Sequence, residues 1–370
     1  MKILVCGDLT TNGRGLKAVQ SKTAISSVVC NLIKSHETAI VNLEAPVVVG
    51  KRKTIAKYGP NLSTVPETIS YIKECGFSAV TLANNHFYDY GDDGVLKTLE
   101  IVDKEGLKRL GGGREKKRPF ILNNCSNVCI LNYCESEFSV GHEMGSNSLD
   151  PIKAYYDIKE AVKNKHFVVV IVHGGHEGYQ LPSPRMKQLY RFFIDCGASV
   201  VINHHQHCYS GYEKYQSGMI FYGLGNFFFD KLSSKVNKEW FEGYMVSLRI
   251  EENNLVDFTI YPYDQCKDDC VEVRLMKDDE MILFNQQIEH LNKIIADDAL
   301  LEQSFKEFAD SQEKNYLSRF TPYTIGKIMG AYRKGLLPSF INKKKRIRIL
   351  NAISCEAHRD VCMYLLNKNV

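Results

Sequence analysis

Residues 167–173 read Phe167-Val168-Val169-Val170-Ile171-Val172-His173, a continuous apolar run, mostly β-branched, that ends in an imidazole. A strand with one face in water alternates apolar and polar side chains, so an unbroken run of this kind needs cover on both faces. That requirement predicts a largely parallel sheet buried under helices. Shorter runs of the same character are Ile3–Cys6, Ala39–Val41, Ala79–Leu82, Val128–Tyr133, Ser199–Ile202 and Met219–Tyr222. Helical spacing separates them at Lys22–Lys34, Val65–Cys75, Val95–Lys104, Ile152–Lys163 and Met186–Cys196. Strands that alternate with helices specify an α/β fold. Two further segments read as connections, the polar and basic Lys51–Gly59 as a loop and Gly111-Gly112-Gly113 as a flexible turn. Beyond Phe227 the period changes. Tyr244–Ile250 and Leu255–Tyr261 alternate about Glu251-Glu252-Asn253-Asn254 as a hairpin, Val271–Leu275 adds a short strand, and from Asp278 the pattern is helical and polar.

The strand ends carry the chemistry. In α/β sheets, ligands gather at the carboxyl ends of strands. Here those ends present Asp8, Glu44, Asn85, His173, and His205 with His207. One such residue alone reads as a helix cap, a solvated charge or a core histidine. Five strand ends of one sheet edge repeating the pattern are not explained by capping. His205-Gln206-His207 on an extended segment would put both imidazoles on one side, about 6–7 Å apart, in reach of two adjacent metals. Oxygen and nitrogen donors without thiolate suit one or two divalent ions, Mn²⁺, Fe or Zn²⁺. A carboxylate bridging ions about 3.5–4 Å apart would make a two-metal hydrolytic centre. Glu177 reads as an extra ligand, an acid–base group or a solvated loop charge, and Asn226, after Gly225, reads as a turn residue.

Composition narrows the function class. A net charge of +4 over 370 residues, without a basic stripe interleaved with aromatics, argues against a nucleic-acid partner. Met1–Asp8 reads as a strand start rather than a signal peptide, and no apolar stretch approaches the roughly 20 residues of a membrane helix. A cytosolic protein is expected. The twelve cysteines are dispersed, and Cys125, Cys129, Cys134, Cys266 and Cys270 lack zinc-ribbon spacing, so reduced thiols are expected. Lys343-Lys344-Lys345-Arg346-Ile347-Arg348 is a basic cluster beside Ile341, Ile349 and Leu350. It reads as a solvated helix face or as a contact with anionic lipid or polymer at the inner face of a membrane.

Taken together, Gly7-Asp8, Asn42-Leu43-Glu44, Ala83-Asn84-Asn85-His86 with Asp89-Tyr90-Gly91, His173-Gly174-Gly175-His176-Glu177, His204-His205-Gln206-His207 and Leu224-Gly225-Asn226-Phe227 are a specific set. In this order they resemble the bacterial capsule-synthesis CapA (poly-γ-glutamate synthesis) family, a branch of the calcineurin-like metallophosphoesterases. The resemblance covers roughly residues 1–275. It implies a mixed α/β fold, a four-layer αββα sandwich over 1–275; the helical C-terminal extension read over 276–370 lies outside it. It implies that Asp8 and His207 hold a first metal, that Asn85, His173 and His205 hold a second, and that Glu44 bridges. His86 would sit beside the substrate as general acid or oxyanion stabiliser rather than as a ligand, and Glu177 remains the second-rank catalytic candidate of the residue reading above. The implied function is a metal-dependent hydrolase acting on a small-molecule or polymer-precursor substrate in surface-polymer synthesis. The alternative is a non-catalytic subunit of a polymer synthase with a vestigial metal site. Thr10 stands where calcineurin-like enzymes usually carry histidine, which predicts a weaker first metal. Gly174 and Gln206 replace the Trp and Pro frequent in the branch.

Overall fold

Alternate residues of the first strand enter two different cores. The computed structural model describes residues 1–370 except 58, 124–126, 232–236, 268, 319, 322, 324, 355–365 and 367–370, so Cys125 lies outside it. In β1 (Lys2–Leu9), Ile3 and Val5 join one apolar cluster while Leu4 and Cys6 join the other. A strand with period-two side chains can do this only at the centre of a layered fold.

The first sheet combines β1 with β2 (Thr38–Leu43), β3 (Ala79–Thr81) and β4 (Lys108–Leu110), all parallel. The second sheet contains β5 (Phe120–Asn123), β6 (Asn127–Cys134), β7 (Phe167–His173), β8 (Val200–His204), β9 (Tyr212–Tyr215) and β10 (Gly218–Phe221), in the order β5-β6-β7-β8-β10-β9. The chain then returns to the first sheet. There β11 (Asn226–Phe228) pairs with β1 in parallel. On the same side β12 (Glu242–Glu251), β13 (Asn254–Gln265) and β14 (Val273–Leu275) complete the order β14-β13-β12-β1-β2-β3-β4. The hairpin expected at 251–254 is present, and Glu252 and Asn253 supply the two left-handed residues that match strand twist.

The sandwich has four layers. Ile3, Val5, Ile40, Ala79 and Leu110 of the first sheet meet Val128, Val170 and Ile202 of the second in one cluster. The outer face of the first sheet is covered by α1 (Gly13–Gln20), α2 (Ser27–Lys34), α3 (Pro66–Cys75) and α4 (Gly91–Lys104). Helices α5 (Pro151–Lys163) and α6 (Pro184–Asp195) cover the second, through Ile158, Met186 and Phe193. The mixed α/β fold expected from the sequence is therefore observed.

Several local expectations change. The helix expected over 22–34 begins only at Ser27, because Ile25 bridges to Val273 and Ser26 caps α2 by accepting from the backbone of Val29. β1 continues past Gly7 instead of turning there. A Cβ on Gly7 would sit 1.9 Å from the carbonyl oxygen of Gly225, so glycine is what lets β11 lie against β1. The Gly111 run is close-packed rather than a flexible turn. A Cβ on Gly111 would meet the amide oxygen of Asn132 at 2.0 Å, and that oxygen accepts from Ala83 N at 3.0 Å, behind Asn84 and Asn85.

Two compact units divide the chain, Met1–Glu302 and Gln303–Val370. The helical region expected from 276 starts with α7 (Asp278–Ala296), whose Phe284, Ile288, Leu291 and Ile295 belong to the core of the first unit. Beyond it come α8 (Asp298–Ser311), α9 (Glu313–Ser318), α10 (Gly326–Arg333) and α11 (Lys343–Ser354). In the second unit Tyr323 contacts Tyr332 and Phe340, with ring centroids 5.8 and 5.5 Å away. Among the described residues no helix is long and apolar enough to cross a membrane.

Candidate metal centre

The predicted ligands converge, but from two sheets rather than one edge. Asp8 and Glu44 stand at the ends of β1 and β2, and Asn85 lies in the loop after β3. His173 ends β7, and His205 and His207 follow β8. All six are buried.

Two groups share one residue. Glu44, His173 and His205 can hold a cation together, and so can Asp8, Glu44 and His207. Around the first, His173 Nε2 lies 3.0 Å from His205 Nδ1, 3.1 Å from Asn85 Oδ1 and 3.5 Å from Glu44 Oε1. Donors that each sit about 2.0–2.2 Å from one ion are spaced by about this much. Around the second, His207 Nε2 is 3.6 Å from Glu44 Oε1, and His207 Nδ1 is 3.7 Å from Asp8 Oδ2. Both oxygens of Glu44 are buried without a hydrogen-bond partner. A carboxylate left this way is costly unless a cation meets it, so the donor set fits divalent metal.

The electrostatics agree. Burial, then the carboxylates of Asp8, Glu177 and Asp89, hold Glu44 well above the usual carboxylate range. Burial raises Asp8 to about 6 against the hydrogen bonds it accepts. Burial, then the neighbouring imidazoles, hold His173 well below its ordinary value, and burial lowers His207 to about 4. A divalent ion selects the neutral imidazoles that burial already favours, and it supplies the positive charge that these buried carboxyls lack for ionisation.

Second-layer amides aim the ligands. Asn226 Nδ2 donates to the carbonyls of His207 and Trp240, which turns its oxygen toward His207 Nδ1 at 2.9 Å. An amide oxygen only accepts, so Nδ1 carries the hydrogen and Nε2 keeps its lone pair beside Glu44. Likewise Asn85 Nδ2 donates to Glu137 at 3.0 Å, leaving its oxygen for His173. Asn42 Nδ2 donates to Asp8 at 2.7 Å, while its oxygen accepts from Thr81 and Asn84. Asn226 is thus not the turn residue expected but the first residue of β11. Asn42 and Glu137 were not among the candidates. Asn42 lay within a quoted motif, and nothing in the sequence marked Glu137.

The His-Gln-His segment is not extended. His205 and His207 adopt left-handed φ values of 94° and 55°, uncommon for these residues and a form of strain that concentrates at functional sites. The turn lets His205 N donate to Asp8 Oδ2 at 3.0 Å and leaves the ring centroids 6.0 Å apart.

His86 makes no contact with this donor set in the hydrogen-bond network. Its Nδ1 lies 2.6 Å from Asp89 Oδ2, and Lys57 Nζ stands 3.0 Å from the same nitrogen while forming an ion pair with Asp89. Both side chains of that pair are buried. Lys57 sat in an apparently solvated basic loop, and Asp89 in an apparent turn. Glu177 is exposed on its loop. Partial desolvation of its carboxyl would raise its pKa, but His207, His205 and His86, where they carry charge, outweigh that and lower it. Thr10 Oγ is buried without a partner in hydrogen-bond reach. The nine described cysteines are free.

The sequence profile of the bacterial capsule synthesis protein PGA_cap matches residues 2–231. The capsule biosynthesis protein CapA of Bacillus anthracis is 30% identical over 248 residues, 62% of this chain and 60% of that one. The PGA biosynthesis protein CapA of Bacillus subtilis (strain 168) is 28% identical over 264 residues, 68% of each chain. The chain therefore spans 60% of the length of the first relative and 68% of the second. A solved structure of a hypothetical protein from Thermus thermophilus aligns with 71% of this chain and 99% of its own, at 14% identity and TM-score 0.46.

Proposed function

The chain belongs to the bacterial capsule synthesis protein PGA_cap family, and from that premise we propose that it is a divalent-metal-dependent hydrolase of a phosphoester or polymer-precursor bond in capsule or other surface-polymer synthesis. The observation that carries the reading is Glu44, with two unpaired buried oxygens between two three-residue clusters. Asp8 and His207 would hold one ion, Asn85, His173 and His205 the other, with Glu44 shared. Divalent ions at such a centre supply Lewis acidity and acidify water at neutral pH. The protein's own part is orientation and proton transfer. Asp89 accepts from His86 Nδ1, which leaves Nε2 as the atom that gives or takes a proton. Glu177, on the exposed side, is the second acid–base candidate. The reading places the chain in the cytosol, where free thiols such as Cys6, Cys75 and Cys196 persist.

Thr10 favours a second reading, a polymer-synthase subunit with a vestigial site, because a hydroxyl stands where the resembled enzymes carry an imidazole. Metal analysis of protein purified without chelator, followed by a screen of phosphoester substrates with Mn²⁺, separates the two. Two ions and turnover support the hydrolase, whereas a metal-free, inert protein supports the subunit.

Two outcomes follow. His86→Ala should keep its metal and lose about 10²–10⁴ in turnover, the scale of acid–base help. Loss of metal instead would make His86 a ligand. Asn226→Ala should weaken the Asp8–Glu44–His207 ion by about 10–100-fold in Mn²⁺ titration calorimetry, because His207 loses the partner that fixes its tautomer. Unchanged affinity would mean that packing against Phe229 and Trp240 suffices to hold the ring.

A further inference from the structure

Helix α11 carries its apolar side chains on the outside. Ile347, Leu350 and Ile353 follow one another at three-residue spacing, a stripe along one helix side, and are 58%, 66% and 48% exposed. Five of the six residues from Lys343 to Arg348 are cationic, and among the described residues only Arg346 of these is in an ion pair, with the half-exposed Glu313 at 2.8 Å. At 100° per residue Lys343 falls between Ile347 and Leu350, so charge and apolar surface share a face. Leu336 and Phe340, on the approach to the helix, are also exposed, 72% and 50%. A helix that only needs to be soluble would point this stripe inward.

We propose that α11 docks the chain onto an anionic lipid surface. The cations supply attraction to lipid headgroups, and the outward Ile347, Leu350 and Ile353 enter the boundary between headgroups and acyl chains. A soluble polyanion would use the same charges but has no use for the exposed apolar stripe, and that is why the lipid surface is the occupant. The inference stands apart from the metal centre, which belongs to the other compact unit.

Co-sedimentation of the full chain with vesicles of phosphatidylcholine containing about 30% phosphatidylglycerol, against pure phosphatidylcholine, tests it. Binding should be confined to the anionic vesicles and should weaken with salt. Each lysine removed should weaken partitioning about fivefold, so the triple variant K343Q/K344Q/K345Q should lose about a hundredfold. Ile347→Ser with Leu350→Ser keeps the charge of the helix unchanged and should also abolish vesicle binding, while both variants melt like the parent. Equal binding to both vesicle types, or to neither, overturns the proposal. So does an Ile347/Leu350 variant that binds anionic vesicles like the parent, which would assign the helix to polyanions through charge alone.

Discussion

Glu44→Gln should release both metal ions and, in metal-free protein, raise the melting temperature. Glutamine keeps the shape and removes the charge. In the parent without metal, both Glu44 oxygens are buried and unpaired, beside Asp8. An unpaired buried group costs about 1–3 kcal/mol and a charged one more, and the neutral amide relieves the charged part. In the parent with metal the sign reverses, because an ion that binds only the folded chain stabilises it by about 4 kcal/mol at a thousandfold excess over Kd. The parent should therefore melt higher with Mn²⁺ than with chelator, while the variant melts the same in both and above the chelated parent. Thermal melts of the two proteins in both conditions decide it. A variant that retains two ions, or that is less stable than the chelated parent, would show that Glu44 is not the shared ligand.

The second large effect belongs to His205. His205→Ala should leave one ion, at Asp8, Glu44 and His207, and remove the ion between Glu44, His173 and Asn85. Turnover should fall below about one hundredth, since losing a direct ligand exceeds the 10–100-fold typical of losing its supporting partner. The backbone at 205 is left-handed, and its N–H still has Asp8 to donate to. His205→Gly is the matching control, because glycine adopts that conformation freely and brings no ligating side chain. Metal content by mass spectrometry should be the same in both. Two ions in either variant would refute the partition of ligands.

The α/β layering was legible because continuous apolar runs such as Phe167–Val172 have few other solutions, and the ligand types were legible because they end those runs. Three things were hidden. Sharing of the site between two sheets depends on how they face one another, which local periodicity does not encode. The left-handed turn at His205 and His207 is set by Asp8, almost two hundred residues earlier in the chain. The Lys57–Asp89–His86 cluster looked like a loop charge, a turn and a lone histidine, because its members meet only when the 51–64 segment folds back. Leu62 N donates to Asp89 at 2.6 Å and Ile55 N to the Asp89 carbonyl at 3.0 Å, contacts that no spacing rule anticipates.

The place of β1 sets a timetable. Its Asp8 is made some two hundred residues before the strands that flank it on one side, β11 and β12, which begin at residues 226 and 242. At about 5–20 residues per second, that edge stays unpaired for roughly 10–50 s after β1 leaves the ribosome. Nascent chains that end before Asn226 lack the strand that seals the edge and the amide that orients His207. At the proposed centre, metal capture would thus be a late event of synthesis rather than an early nucleus, and the open edge is where a chaperone has most to protect.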